Sequence, residues 1–321
     1  SNNFDEIKKN KYIIISLGTN VKKLKPETKK FLSFFKFLKD KINSTQSVII
    51  RSSIFPGTYQ NVFSIIKVKC KNLTYCPERI AQGNSIKELP KISQIIGGNN
   101  KNEARKISKI FNKICKKILI TTPENAELVK LFSNAYRYMN FAITNQFYTM
   151  CEKLNLNYKN IERLMKEGYP RNSGIPRAGF AGGPCLIKDT VQLSYFFKNK
   201  YPLLKDSRII NENLPQVVYE KIKKNYILKN KVVGILGAAF KPENDDIRDS
   251  LSIKLYKILK RKSIQTLISD EYYKNKIIVT KEYLIKNSDI VIIATPHKIY
   301  KNIKFRKKNI VFDLWGALNS N

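Results

Sequence analysis

Apolar residues along the chain follow two rhythms. Short unbroken runs occur at YIIISL (12–17), SVIIRS (47–52), LTYC (73–76), SQIIG (93–97) and KILIT (117–121), each bounded by turn residues. Runs without polar alternation suit strands covered on both faces, as in a parallel sheet. Longer stretches with helical spacing lie between them, the first from about Glu27 to Ile42. Strands alternating with helices predict βαβ units and an open, doubly wound sheet. From Pro123 to Leu154 the rhythm changes. AELVKLFSNAYRYMNFAITNQFYTMCEKL contains neither Pro nor Gly, and its apolar positions recur at steps of three and four. One long helix is expected there, with more than one neighbour and a subunit interface along it. Residues 169–184 read as a Gly- and Pro-rich loop, and helical spacing resumes at about 189–198 and 206–227. A second block opens at KVVGILGAAF (231–240) and continues with strands IQTLIS (264–269), DIVIIAT (289–295) and NIVFDLW (309–315). The expected fold is α/β: two Rossmann-like doubly wound domains joined by a central helical domain with one long helix. The divisions fall at 1–122, 123–228 and 229–321.

Composition narrows the partners. The 321 residues are 42% hydrophobic and 11% aromatic, which predicts packed domains and more than one core. No apolar run approaches the roughly 20 residues that span a bilayer. The first residues lack the apolar segment of a signal peptide, so a cytoplasmic location without membrane contact is expected. The absence of an initiating Met suggests a processed or incomplete chain. The net charge is +35, but the lysines are spread over helical polar faces, with no compact basic tail and no nucleic-acid signature. No nucleic-acid partner is expected, while a basic surface attracts a small anionic substrate. The five cysteines are odd in number and include no CxxC, which argues against a disulfide framework and a zinc site. Cys115 and Cys151 fall in apolar helical patterns and read as core. The single histidine, His297 in ATPHKIY, reads as a loop residue, and no metal is expected.

Several stretches can carry chemistry, each with a plainer alternative. GFAGGPCLIKD (179–189) presents Cys185 after three glycines and ahead of a helix expected to start near Asp189. Helix-start amides and Lys188 would then face the sulfur, and the glycines would let a ligand approach the backbone. A small residue buried in a tight loop is the alternative. Lys130 and Asn134, four apart on the long helix, share a face and can hold an oxyanion; a solvated lysine beside an ordinary Asn would look the same. CPERIAQG (76–83) sets Glu78 and Arg79 after a strand, where parallel sheets bind ligands, or where a surface ion pair would sit. RSSIFPGT (51–58) places Ser52 and Ser53 likewise, as ligands or as turn serines. GILGAAF (234–240) is a partial phosphate loop, followed by Lys241 and Arg248 as phosphate ligands or exposed charges.

Taken together and in order, SSIFPGT, CPERIAQG, AELVKLFSNAYR, GFAGGPCLIKD and ILGAAFKPENDDIRDS resemble the UDP-glucose/GDP-mannose dehydrogenase family, over residues 12 to about 316. The resemblance implies an NAD-binding first domain, a UDP-sugar-binding last domain and a homodimer built around the long helix. It moves the dinucleotide away from 234–248. It implies a four-electron oxidation of a sugar C6 alcohol to a carboxylate, with two NAD per sugar and Cys185 as the nucleophile that carries a thiohemiacetal and then a thioester. By position, Lys130 and Asn134 would steady the oxyanion at C6. Asp189 would order the water and a lysine, and Glu78 would act as base in thioester hydrolysis. Ser53 takes the place of a family threonine near the nicotinamide. Thr19, Gln82, Lys188 and Arg248 fall at cofactor positions, and Arg79, Arg171, Phe180, Gly182 and Lys241 at substrate positions. GPCLIKD with CPERIAQG looks nearest to members acting on UDP-N-acetylhexosamines such as UDP-N-acetylmannosamine, with UDP-glucose and GDP-mannose as alternatives. The family's opening GxGxxG has no counterpart here. The first domain is therefore expected to be truncated by roughly 80–100 residues, about one mononucleotide-binding half, and to bind NAD weakly. A non-catalytic nucleotide-sugar-binding remnant is the contrasting reading.

Overall fold

A computed structural model describes residues 4–22, 24–80, 83 and 85–318. The chain divides into two compact units. The first holds residues up to Ala135 together with Lys188–Leu204, and the second holds Tyr136–Ile187 with the residues from Lys205 onward.

The first unit begins with β1 (Tyr12–Ile15), a small antiparallel pair β2 (Val21–Lys22) and β3 (Lys25–Pro26), and α1 (Thr28–Lys39). Next come β4 (Ser47–Ile50), α2 (Thr58–Ile66), β5 (Leu73–Tyr75), α3 (Ser85–Glu88), β6 (Gln94–Gly97), α4 (Lys101–Phe111) and β7 (Ile118–Thr121). The sheet order is β1-β4-β5-β6-β7. β4 shows why an unbroken apolar run was required. Val48 and Ile50 join the core with Phe31, Phe35 and Val62, while Ile49 points to the opposite core with Ile96, Ile107 and Phe111. Both faces of β4 are covered, whereas Tyr12 and Ile14 on β1 and Leu119 and Ile120 on β7 are exposed, so those two runs are not buried on both sides as expected. One pairing departs from the parallel expectation: β5 and β6 run antiparallel, through Tyr75 and Gly97.

The long helix α5 spans Pro123–Lys153 and is followed by α6 (Tyr158–Lys166). Helix α7 spans Pro184–Phe196, starting five residues before the expected position near Asp189. Proline tolerates the first helical position because its missing N–H would have no intrahelical partner there, so the glycine-rich loop ends at Gly183 and Cys185 lies inside the helix. Helix α8 (Pro202–Asn225) begins the same way, four residues ahead of the expected start.

The second sheet comprises β8 (Val232–Leu236), β9 (Gln265–Ser269), β10 (Ile278–Val279), β11 (Ile290–Ile293) and β12 (Ile310–Asp313), with α9 (Leu251–Arg261) and α10 (Lys281–Asn287) between strands. Its order, β10-β9-β8-β11-β12, is parallel throughout and reverses direction between β8 and β11. Ligands of such sheets bind beyond the strand carboxyl ends at that reversal. Gly237 follows β8 there at φ 91°, and an added Cβ would lie 2.8 Å from the backbone of Thr295. Along β11, Ile290 and Ile292 pack on one face and Val291 and Ile293 on the other.

Candidate functional site

The predicted residues form two groups, one in each unit. In the first unit, the chain leaving β1 brings Thr19 to Ser53, which follows β4. The Thr19 hydroxyl donates to the Ser53 carbonyl and accepts from Lys188 Nζ at 3.4 Å. Glu78 follows β5. Its Oε1 accepts from the N–H groups of Arg79 (2.8 Å) and Ile80 (3.0 Å), and its Oε2 pairs with Arg51, which also donates to Gln94 Oε1 at 3.0 Å. Burial works to raise the Glu78 carboxyl, but the Arg51 guanidinium and the two N–H groups outweigh it and hold it below the ordinary value.

Lys130 and Asn134 are both buried on α5. Asn134 Nδ2 donates to Asp189 Oδ2 at 2.6 Å, and Asp189 is fully buried. Asp189 Oδ1 accepts no hydrogen bond among the described residues, with Lys188 Nζ 3.8 Å away. Burial pushes the Asp189 carboxyl up, against the opposing charges of Lys188 and Lys130 and the Asn134 amide. Glu78 and Asp189 are thus driven in opposite directions by their surroundings. A buried carboxylate oxygen without a donor, beside two ammonium groups, suits a water or substrate hydroxyl.

In the second unit, Cys185 is exposed, whereas Cys70, Cys76, Cys115 and Cys151 are buried. It sits in the first turn of α7, where backbone N–H groups lack intrahelical acceptors. The preceding loop lies against the segment after β8. Gly183, at φ 99°, donates its N–H to the Asp249 carbonyl at 3.3 Å, and a Cβ there would strike the Phe240 ring. A Cβ on Gly182 would sit 2.7 Å from the Asp249 carbonyl oxygen. The Phe180 side chain is taken up by the core with Leu214 and Leu251. Lys241 is half-buried with its ammonium 5.8 Å from the Phe240 ring centre. Arg248 is exposed and paired with Asp246 at 2.6 Å. Arg171 is exposed, with its guanidinium 5.7 Å from the Tyr169 ring centre. Gln82 lies outside the described residues.

The partial phosphate loop after β8 is internally occupied. Asp270 Oδ2 accepts from the N–H groups of Ala238 (2.7 Å) and Ala239 (2.9 Å), where a phosphate oxygen would be bound in a dinucleotide loop. Asp270 Oδ1 accepts from Tyr272 and Tyr273, both at 2.9 Å. His297, read as a loop residue, does follow β11 but is fully buried. Its Nδ1 accepts from the Glu243 N–H at 3.0 Å, so Nε2 carries the proton and donates to Asp270 Oδ2 at 3.2 Å. Sequence reasoning also missed a cleft of about 1100 Å³ in this unit, lined among others by Tyr158, Lys159, Arg177, Lys221, Phe312 and Trp315. Arg177 Nη1 donates to the carbonyls of Trp315 (3.2 Å) and Gly316 (3.0 Å), just past the carboxyl end of β12. Among the described residues, no group of three His, Cys, Asp or Glu can hold a metal ion, and no helix is long and apolar enough to cross a membrane.

Comparison with known proteins matches three successive parts of the chain. Residues 1–115 match the NAD binding domain of the UDP-glucose/GDP-mannose dehydrogenase family, residues 124–213 its central domain and residues 234–320 its UDP binding domain. A UDP-N-acetyl-D-mannosamine dehydrogenase from Methanocaldococcus jannaschii is 31% identical over 280 residues, which are 85% of this chain; the chain spans 64% of that protein's length. Its counterpart from Methanococcus aeolicus is 30% identical over 308 residues, covering 90% of this chain and 70% of that one. The solved UDP-D-ManNAc dehydrogenase from Pyrococcus horikoshii superposes with a TM-score of 0.88 at 26% identity, over 99% of this chain and 80% of that one.

Proposed function

Because the chain belongs to the UDP-glucose/GDP-mannose dehydrogenase family, we propose that it takes part in oxidising the C6 alcohol of a UDP-N-acetylhexosamine to a carboxylate. The observation that carries this reading is the state of Cys185. It is the exposed one of five cysteines, held in the first turn of α7 and followed one turn later by the buried Asp189. Three functional parts, 1–122, 123–228 and 229–321, serve the cofactor, the thiol loop and the nucleotide sugar respectively.

The cofactor of the first domain is NAD. The donor set at the carboxyl ends of β1 and β4 fits one end of it: the Thr19 and Ser53 hydroxyls and the Lys188 ammonium suit an amide, a ribose hydroxyl or a phosphate oxygen. When bound, NAD supplies the hydride acceptor, and two are consumed for each sugar. The cleft beside Lys159, Arg177 and Trp315 offers room for the uridine diphosphate.

The chain's own residues perform the remaining steps. Lys130 and Asn134 would hold the C6 oxygen as its hydroxyl proton passes to water and the first C6 hydride is given up to bound NAD, which leaves the aldehyde. Cys185 Sγ adds to the aldehyde carbon, and the resulting thiohemiacetal keeps the aldehyde from escaping. Loss of a second hydride and the hydroxyl proton leaves a thioester on Cys185. Water attacks that thioester, releasing the carboxylate and restoring the thiol. The electrostatics favour Asp189 over Glu78 as the group that takes the water's proton. Burial makes Asp189 a stronger base than a solvated carboxylate, whereas Arg51 makes Glu78 a weaker one. Glu78 then serves to position, together with Arg51.

Substrate choice rests on the relatives described above, which bear the name of UDP-N-acetyl-D-mannosamine dehydrogenase. The test is NADH formation with a panel of UDP-N-acetylmannosamine, UDP-glucose and GDP-mannose, with calorimetric titration of each nucleotide sugar alongside. UDP-N-acetylmannosamine should give about two NADH per sugar, and Cys185→Ser should form no acid. Undiminished acid formation by that variant, or neither turnover nor binding with any of the three, refutes the reading. An exposed face of α5 supports the second copy expected of this family. Phe132, Tyr136, Ile143, Phe147 and Met150 are exposed on α5 at steps of three, four and seven, an apolar seam of the kind that pairs helices.

A further inference from the structure

The glycine stretch 179–183, which leads into the helix of Cys185, is gripped at its first residue by a fully buried side chain. Asn145 lies on α5 and Asn211 on α8, and both have no exposed surface. Asn145 Oδ1 accepts from the Gly179 N–H at 2.8 Å, and Asn145 Nδ2 donates to the Gly179 carbonyl at 3.1 Å. One amide therefore grips both polar atoms of a single glycine. The second hydrogen of Nδ2 goes to Asn211 Oδ1 at 2.8 Å, and Asn211 Nδ2 donates to the Tyr138 carbonyl at 3.0 Å. Every hydrogen on the Asn145 amide is used, so the side chain has one orientation. The grip is at the start of the loop, at a glycine with φ 153° whose Cα faces the Trp315 ring. The far end is held by the Gly183 N–H on the Asp249 carbonyl at 3.3 Å. Cys185 follows two residues later, so the path of the loop between these two points sets where the sulfur emerges.

We propose that Asn145, oriented by Asn211, is a positioning residue for Cys185. It fixes the loop so that the sulfur meets the C6 carbon in line for attack, which deepens the nucleotide-sugar dehydrogenase reading and rests on it. The amide chemistry is specific. Asn145→Asp keeps the shape but turns Nδ2 into an oxygen that faces two acceptors, the Gly179 carbonyl and Asn211 Oδ1.

Two measurements on the same Asn145→Asp protein decide the matter. In hydrogen exchange followed by mass spectrometry, the segment 178–185 should exchange roughly tenfold faster than in the unsubstituted chain, while β8 and β9 keep their protection. In turnover, kcat should fall on the order of 100-fold while KM for the nucleotide sugar stays within about threefold, the signature of a misplaced reacting group rather than a lost binding contact. Unchanged exchange overturns the clamp, and faster exchange with unchanged kcat overturns its positioning role. If Asn145→Asp does not fold, Asn211→Ala removes the outer support and leaves the bonds to Gly179 available. It should raise exchange in the same segment, and exchange equal to that of the unsubstituted chain overturns the proposal. A chain with no dehydrogenase activity in any form refutes the functional reading, while the exchange measurement still decides the clamp.

Discussion

Replacing Asn134 by Ala tests the electrostatics at the buried acid directly. Asp189 would lose the 2.6 Å hydrogen bond on Oδ2, and its Oδ1 already accepts none. A hydrogen bond to an ionised group contributes about 1.5–3 kcal/mol, and one between neutral groups about 0.5–1.5 kcal/mol. The coupling between the two residues should therefore depend on the charge of Asp189. Its folded-state carboxyl is raised by burial above the ordinary value. Between the unfolded and the folded value the native protein binds more protons than the unfolded chain, so this group makes the protein less stable as pH rises through that window. Asn134 offsets part of that loss, and its contribution grows as Asp189 ionises. A double-mutant cycle of Asn134→Ala and Asp189→Ala, followed by urea unfolding, isolates the pair. The coupling should be about 1.5–3 kcal/mol at alkaline pH and about half that at the lowest pH where the chain remains folded. The net charge of +35 weakens the protein in acid by self-repulsion, but that effect is common to all four corners and cancels. A coupling that is the same at both pH extremes, or below about 0.5 kcal/mol throughout, would show that Asn134 does not support an ionised Asp189.

Gly183→Ala should destabilise the second unit by about 2–5 kcal/mol, the sum of a Cβ at positive φ and overpacking against Phe240; a loss under about 1 kcal/mol in urea unfolding would mean the loop moves freely. Asp270, held at about 2 against an ordinary 3.8 because His297 and the surrounding N–H groups outweigh its burial, contributes about 2 kcal/mol that is fully present above the ordinary value and lost as pH falls toward the lowered one. Asp270→Asn should flatten that acid limb in a pH series of unfolding curves, and an unaltered limb would contradict it. Phe132→Glu with Met150→Glu places charges on the α5 seam and should halve the mass measured by light scattering. A dimer that survives both substitutions means the seam is not the interface.

Strand positions were legible because burial on both faces forces an uninterrupted apolar run, as at Ser47–Ile50 and Ile290–Ile293. Strand direction was not, since the same run serves either sense, as the antiparallel β5–β6 pair shows. Two helix starts were misjudged for one reason. Pro184 reads as the end of a Gly-rich loop and Pro202 falls between two helical stretches, yet each opens a helix at its first position, where a missing N–H costs nothing. The error mattered at α7, because it moved Cys185 from the loop before the helix to the helix's first turn.

For the site, local spacing reached only as far as a single element. It placed Lys130 and Asn134 on one face of α5, but the partner of Asn134 lies 55 residues away, and the partner of Glu78 lies 27 residues before it. Arg51 decides the sign at Glu78 and burial decides it at Asp189, so the acid read as the base emerges as the weaker one and Asp189 as the stronger. Asn145 did leave a trace. It lies seven residues after Tyr138 and three after Ala142, on the buried stripe of α5. A polar residue on such a stripe has to be fully hydrogen-bonded to be tolerated there. What the sequence lacked was the other half of the bond: the Gly179 backbone and the Asn211 amide come from segments that no periodicity links to α5. A mismatch between residue type and helical face marks a place to look for a loop being held, and the held loop here is the one that leads into the thiol's helix.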